Sequence, residues 1–78
     1  MTHTHMQSHN GLSIGDEVIH IKEDGFNAGQ RQNKQIAKII LTEFTSEESR
    51  RLRVPTMERH VVFTDGSIAG HYDKVIKR

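Results

Sequence analysis

The residues of this chain best suited to chemistry are cations and imidazoles. Arg50, Arg51 and Arg53 lie within four positions of one another, and Lys74, Lys77 and Arg78 crowd the last stretch. Lys34 and Lys38 extend the set. A guanidinium makes planar, bidentate contacts with phosphate or carboxylate, whereas an ammonium acts as a point charge. These eight cations are the candidate contacts for an anionic partner, either nucleic acid or an acidic protein surface. The plainer reading is a solvated surface of mixed charge, because the net charge of the 78 residues is only +1. That charge is unevenly spread. Residues 1–49 hold four Lys/Arg and seven Asp/Glu, a balance of −3. Residues 50–78 hold seven against three, a balance of +4. A basic second half suits an acidic partner or nucleic acid.

Histidine is the second group. His3, His5 and His9 dot the first residues, and close-set imidazoles hold Zn, Cu or Ni ions. A free amino terminus with His3 in third place would also be a Cu/Ni chelate if Met1 is retained. A disordered segment has no outer shell to orient such ligands, so accidental binding is the plainer reading. His60 and His71 are expected to oppose one another across a hairpin, as a weak divalent-metal site or a pH-sensitive pair. Two ligands alone hold a metal poorly, so no resident metal is expected.

Catalysis finds little to work with. There is no Cys, hence no thiol nucleophile, disulfide or Cys-type zinc site. Neither G-x-S-x-G nor H-E-x-x-H occurs. Gly25 and Gly29 lack the spacing of a phosphate-binding loop. His71 and Asp73 stand two apart with no nucleophile between them. The expectation is a protein that is not an enzyme and needs no cofactor.

The elements that would position these groups start from a hairpin. Asp65-Gly66 suits a two-residue turn, and Arg59–Thr64 and Ser67–Tyr72 flank it with β-formers. That loop places Phe63 opposite Ile68, Val61 opposite Gly70 and His60 opposite His71. Phe63, Ile68, Val61 and Gly70 then form the core face. Val62, Ala69, Thr64 and Ser67 join the histidines on the wetter one.

Upstream, residues 1–11 show no apolar periodicity and read as a disordered tail. Leu12 to Lys22 reads as the first strand, broken by a turn at Gly15-Asp16, with His20 partly exposed. Glu23 to Lys34 reads as a loop anchored by Phe26. Gln35 to Phe44 is ambiguous. Ile36, Ile39, Ile40 and Phe44 make a helical stripe, whereas the Ile-rich composition and the following hairpin favour a strand. A strand is expected, with a helix over about 35–44, and so an α+β fold, as the alternative. Thr45-Ser46-Glu47-Glu48 fits a capping box for a short helix running through Arg51, and Pro55 ends anything regular. Leu52 and Val54 would pin this excursion to the body. Val75-Ile76 would form a short last strand beside the first.

Together these pieces resemble an SH3-like small β-barrel of the KOW or Tudor type. Gly15-Asp16-Glu17-Val18 matches the opening strand, Ala37-Lys38-Ile39 the second, and Val61-Val62-Phe63-Thr64-Asp65-Gly66 the hairpin. The likeness covers roughly residues 13–77. It implies an all-β barrel of about five strands, and binding to RNA, ribosomal components or polymerase, or to methylated side chains. Two departures bear on function. Ala37 stands where KOW modules carry Gly. The aromatics are only Phe26, Phe44, Phe63 and Tyr72, too few converging rings for a cage. The expected function is therefore a non-catalytic binding module, nucleic-acid-associated through the Arg50–Arg53 loop and the basic C-terminal stretch. The alternative is a protein-interaction adaptor or small regulator of a larger enzyme.

No run of 18 apolar residues is present, so no membrane span is expected and a cytoplasmic protein is the natural reading. A domain this small buries only about 60% of its unfolded surface. Homo-oligomerisation would supplement so thin a core.

Overall fold

A computed structural model of the protein describes residues 1–23, 25–26, 28–70 and 73–78. It is mainly antiparallel β-structure with one short helix. The strands are β1 (Thr2–Met6), β2 (Ser8–His9), β3 (Leu12–Ser13), β4 (Glu17–Ile21), β5 (Arg31–Glu43), β6 (Met57–Phe63), β7 (Ile68–Ala69) and β8 (Lys74–Lys77). The helix α1 (Ser46–Leu52) bridges β5 and β6. The strand order is β7-β6-β5-β4-β8, with β1 added beside β5, and β2 pairs with β3 in a separate two-stranded ribbon. Among the described residues the ladder does not close on itself.

β5 organises the sheet. Residues 31–35 pair with β4, residues 39–43 pair with β1, and β6 runs along 36–43. The register against β6 shifts between Ile36 and Lys38, so one extra residue is accommodated at Ala37. Such a bulge reverses the in–out alternation beyond it. Ile36 and Ile39, three apart, therefore both reach the core, opposite Phe63 and Val61. With Leu12, Val18 and Ala69 these residues form the core, and Met6 and Val75 pack against it.

Several expectations need correcting. The first residues are not a disordered tail: β1 lies antiparallel on β5, from Thr2 opposite Glu43 to Met6 opposite Ile39. Threonine suits a strand, and the partly buried Met6 packs this edge strand against the core. β5 begins at Arg31, so the polar run read as loop is its first turn of ladder with β4. Phe26 anchors nothing and is fully exposed.

The central hairpin forms in a different register. Val61 opposes Ala69 and Val62 opposes Ile68. The loop holds three residues, Thr64-Asp65-Gly66, closed by Gly66 N–H to Phe63 O at 3.0 Å and Phe63 N–H to Ser67 O at 2.8 Å. Gly66 takes a φ of 87°, the left-handed residue that ends a three-residue hairpin loop. A one-residue slip exchanges the faces of a strand. Ala69 is buried and Ile68 is 57% exposed, the reverse of the expectation, while Phe63 and Val61 are buried as expected. The strands are also shorter on one side, since β7 ends at Ala69. His71 and Tyr72 lie outside the described residues, and so does the expected His60–His71 pairing.

The last strand lies beside β4, as Val75-Ile76 suggested, with Ile19 opposite Ile76 and His20 opposite Val75. The helix follows its capping box and runs one residue past Arg51. Leu52 does not pin it: that side chain is half exposed, and no residue of α1 is buried.

Candidate functional site

The arginines sit on a helix held by its ends. Thr45 Oγ1 accepts the Glu48 N–H at 3.1 Å, and Glu48 Oε1 accepts the Thr45 N–H at 3.0 Å. The ammonium of Met1 adds a second donor to Glu48 Oε1, also at 3.0 Å. The bonds from the Thr45 N–H, the terminal ammonium and the Thr45 hydroxyl hold the Glu48 carboxyl down at about 2. At the other end Arg53 adopts φ 56°, ψ 44° and donates its N–H to Ser49 O. This left-handed turn ends the helix and directs the chain toward Pro55. Glu47 and Glu48 stand in the first turn and Arg50 and Arg51 in the last, a distribution that complements the helix dipole. Arg50, Arg51 and Arg53 are all exposed, and among the described residues none of them meets a carboxylate. Arg50 and Arg51 share a shallow hollow with Glu47.

Most of the other candidate cations are engaged. Lys34 bonds Asp65 and lies 6.0 Å from the Phe63 ring centroid. Lys74 is 3.5 Å from Glu23, Lys77 is 3.7 Å from Asp16, and Arg78 is 3.9 Å from Glu17. Each of these C-terminal cations lies beside an acidic residue of β4 or its flanks, because β8 runs antiparallel to that strand. Asp65 gains twice over. The bond from Lys34, and then those from the Ser67 hydroxyl and N–H, hold its carboxyl far below the usual range. Lys38 is exposed on β5, between the two groups.

The eight residues therefore do not form one patch. Lys77 and Arg78 lie beside Val18 and Glu17, at the level of Lys34 and Gln35 on β5. The arginines follow Glu43, eight residues farther along that strand, about 27 Å of strand path at the usual rise.

Histidines occupy three settings. His60 Nε2 is 3.3 Å from Glu58 Oε2 on the surface of β6. His3 Nδ1 is 2.9 Å from the hydroxyl of buried Thr42. His20, expected to be partly exposed, is only 3% exposed. Its Nε2 lies 2.8 Å from Asp73 Oδ2, and its ring lies 5.1 Å from that of Phe63. Asp73 Oδ2 also accepts the Gly70 N–H at 3.0 Å, and Oδ1 accepts the Glu23 N–H at 3.3 Å. Burial opposes ionisation of Asp73, but His20 and the two backbone donors outweigh it and lower its pKa. This carboxylate fastens the entry of β8 to β4. Sequence reasoning missed it because the partners stand 53 residues apart.

Asp73 also borders a cavity of about 220 Å³ with His9, Arg59, Val61, Ala69 and Val75. No motif marks this hollow, since its lining comes from four separated stretches. Among the described residues no group of three or more His, Cys, Asp or Glu side chains could hold a metal ion. No helix among them is long and apolar enough to cross a membrane. Comparison of the chain with protein-family models, with curated proteins and with solved structures finds no match in any of the three.

Proposed function

We propose that this chain is a non-catalytic binding module that engages an anionic partner with the arginine end of α1, and that the partner is nucleic acid. The observation that carries this reading is the contrast in pairing: Arg50, Arg51 and Arg53 stand exposed without a carboxylate partner among the described residues, whereas Lys34, Lys74, Lys77 and Arg78 are engaged. A helix with no buried residue adds little to the core, yet it is capped at both ends. A capped, unburied helix presents its last turn as a defined set of donors.

The strand order supports the SH3-like likeness. A meander of β4, β5, β6 and β7 whose last strand, β8, returns beside the first is the order expected of such a barrel. The setting of His20 and Asp73 supports a non-catalytic role. The imidazole is buried against Phe63 and its Nε2 is taken up by Asp73. An acidic protein segment is the second reading, favoured by the small footprint and by Glu47 beside Arg50 and Arg51, which would repel a phosphate chain. Salt dependence separates the two. Three phosphate contacts on duplex DNA predict a slope of log K against log salt of about −2.7. Gel shifts with duplex DNA, single-stranded DNA and RNA at low salt test the reading. Binding that Arg50→Ala, Arg51→Ala and Arg53→Ala together abolish supports it. No shift with any of the three nucleic acids overturns it in favour of the acidic segment.

A further inference from the structure

β1 is paired on one side only, with β5. Among the described residues no other backbone group bonds Thr2–Met6, so every second residue of the strand turns its N–H and C=O outward. An open row of this kind is a template for another strand, and folded proteins blunt it with short edges, charge or proline. The other open edges of this protein are blunted in that way. β2, β3 and β7 have two residues each. β8 carries Lys74 and Lys77. The stretch of β6 beyond β7 carries Glu58 and Arg59, and the start of β5 carries Arg31 and Lys34. β1 is the exception among the described strands. Its Thr-His-Thr-His-Met has no Asp, Glu, Lys, Arg or Pro, its register on β5 is unbroken, and its first four residues are exposed.

We propose that β1 pairs antiparallel with β1 of a second copy of this chain, about a two-fold axis at Thr4. Thr4 then opposes Thr4 of the partner subunit, His3 opposes His5 of the partner subunit, and Thr2 opposes Met6 of the partner subunit. Three observations choose this occupant and this register. A two-fold interface sets one patch against itself, so a fixed charge near the axis would face its own like, and directly opposed like charges destabilise a sheet. β1 brings no acidic residue, lysine or arginine to the axis. The ends of the ladder are also set. The Met1 ammonium is held by Glu48 at 3.0 Å, and the Gln7 carbonyl accepts the Ile14 N–H at 3.1 Å. The five residues between them are left to pair, and Thr4 is their midpoint. Finally, opposed residues share a face, so an axis at Thr4 keeps both copies of Met6 on the side that packs against the core. A slip of one residue would join the core side of one sheet to the outer side of the other. The pairing extends the sheet of a domain whose own core is thin, and it does not rest on the arginines of α1.

Sedimentation equilibrium of the full chain tests this. At high micromolar concentration the expected mass is twice the 8.9 kDa of the chain. Thr4→Lys sets two ammonium groups at the axis and should weaken association at least about tenfold, because like charges brought together across an interface are strongly disfavoured. Ile68→Lys, which alters the exposed apolar residue of β7, should associate as the parent does. A parent that stays monomeric up to millimolar concentration overturns the proposal. So does a dimer that Thr4→Lys leaves as tight as before, or one that only Ile68→Lys weakens. The parent alone gives a second reading, which holds even if Thr4→Lys loosens β1 from β5. In a mixture of isotope-labelled and unlabelled chains, NMR contacts between subunits should join His3 to His5 and Thr2 to Met6. Contacts between subunits that leave out β1 overturn the proposal.

Discussion

The two ends of β5 carry comparable positive charge and treat it in opposite ways. At the end where β5 pairs with β4, Lys34, Lys74, Lys77 and Arg78 each stand next to a carboxylate. At the α1 end, Arg50, Arg51 and Arg53 have no such neighbour among the described residues. The first end also holds His20, buried against Phe63 and bonded to the half-buried Asp73. The second holds a helix with no buried residue. Cations at the β4 end lie beside carboxylates of β4, its flanks and the β6–β7 loop, and those at the helix end stand exposed without one, which is the ground for proposing that they meet a partner. A count of basic residues along the sequence merges these two groups, although strand pairing separates them.

The largest break in this comparison should come from Phe63, which supports the structural end. Phe63→Ala removes a fully buried ring from beside His20 and should cost about 3–5 kcal/mol, enough to unfold a domain of this size in denaturant titrations. A midpoint unchanged from the parent would show that the core does not rest on that ring.

The next effect concerns the fastening of β8. Asp73→Ala should cost about 1.5–3 kcal/mol, the range for hydrogen bonds to a charged group, because it strips His20 and two backbone N–H groups of their acceptor. The sign of the pH dependence follows from the lowered pKa of Asp73. A carboxyl lower in the folded than in the unfolded chain stabilises above its unfolded value of about 3.9, and that contribution is lost as pH falls through the folded value. Melting curves between pH 5 and pH 2, a range set by that reference of about 3.9, should show the parent losing stability faster than Asp73→Ala. Parallel losses would deny the carboxylate its role.

Deleting residues 1–6 should cost more than about 1 kcal/mol, since it removes a five-residue ladder and the Met6 contact with the core. Native-state hydrogen exchange of Leu41 and Ile39 gives a second measure, because their edge would open. Unaltered stability and exchange would mean that β1 is not docked in solution.

The smallest effect sharpens the contrast from the other side. Replacing Arg50, Arg51 and Arg53 together by Ala should change stability by less than about 0.5 kcal/mol per site, as expected for surface positions. A large loss would give the arginines a structural duty and dissolve the distinction between the two ends.

Much of the local structure was legible in the residues. The capping box at Thr45 and Glu48 stated where α1 starts, and Asp65-Gly66 marked the hairpin. Val75-Ile76 pointed to a last strand beside β4. What escaped was set by pairing between distant segments. A bulge at Ala37 puts Ile36 and Ile39 on one face, which is why β5 mimics a helical stripe. A third loop residue, Thr64, moves Ile68 out and Ala69 in. β1 has almost no apolar signal of its own and is defined by the edge of β5. The carboxylates beside Lys74, Lys77 and Arg78 lie on β4 or its flanks, far off in sequence, so the candidate interface looked broader in sequence than in space. His20 read as an ordinary strand histidine because Asp73 reaches it only after β8 has docked.

The central claim is that the helix end, and not the C-terminal end, meets the partner. Its most direct measurement is binding to duplex DNA over a range of salt for three proteins: the parent, the triple variant Arg50→Ala, Arg51→Ala and Arg53→Ala, and the triple variant Lys74→Ala, Lys77→Ala and Arg78→Ala. The prediction is that the arginine variant weakens binding and flattens the slope of log K against log salt by about 2.7, from three lost phosphate contacts. The C-terminal variant should retain the parent slope. A C-terminal variant that loses the slope while the arginine variant keeps it would contradict the account.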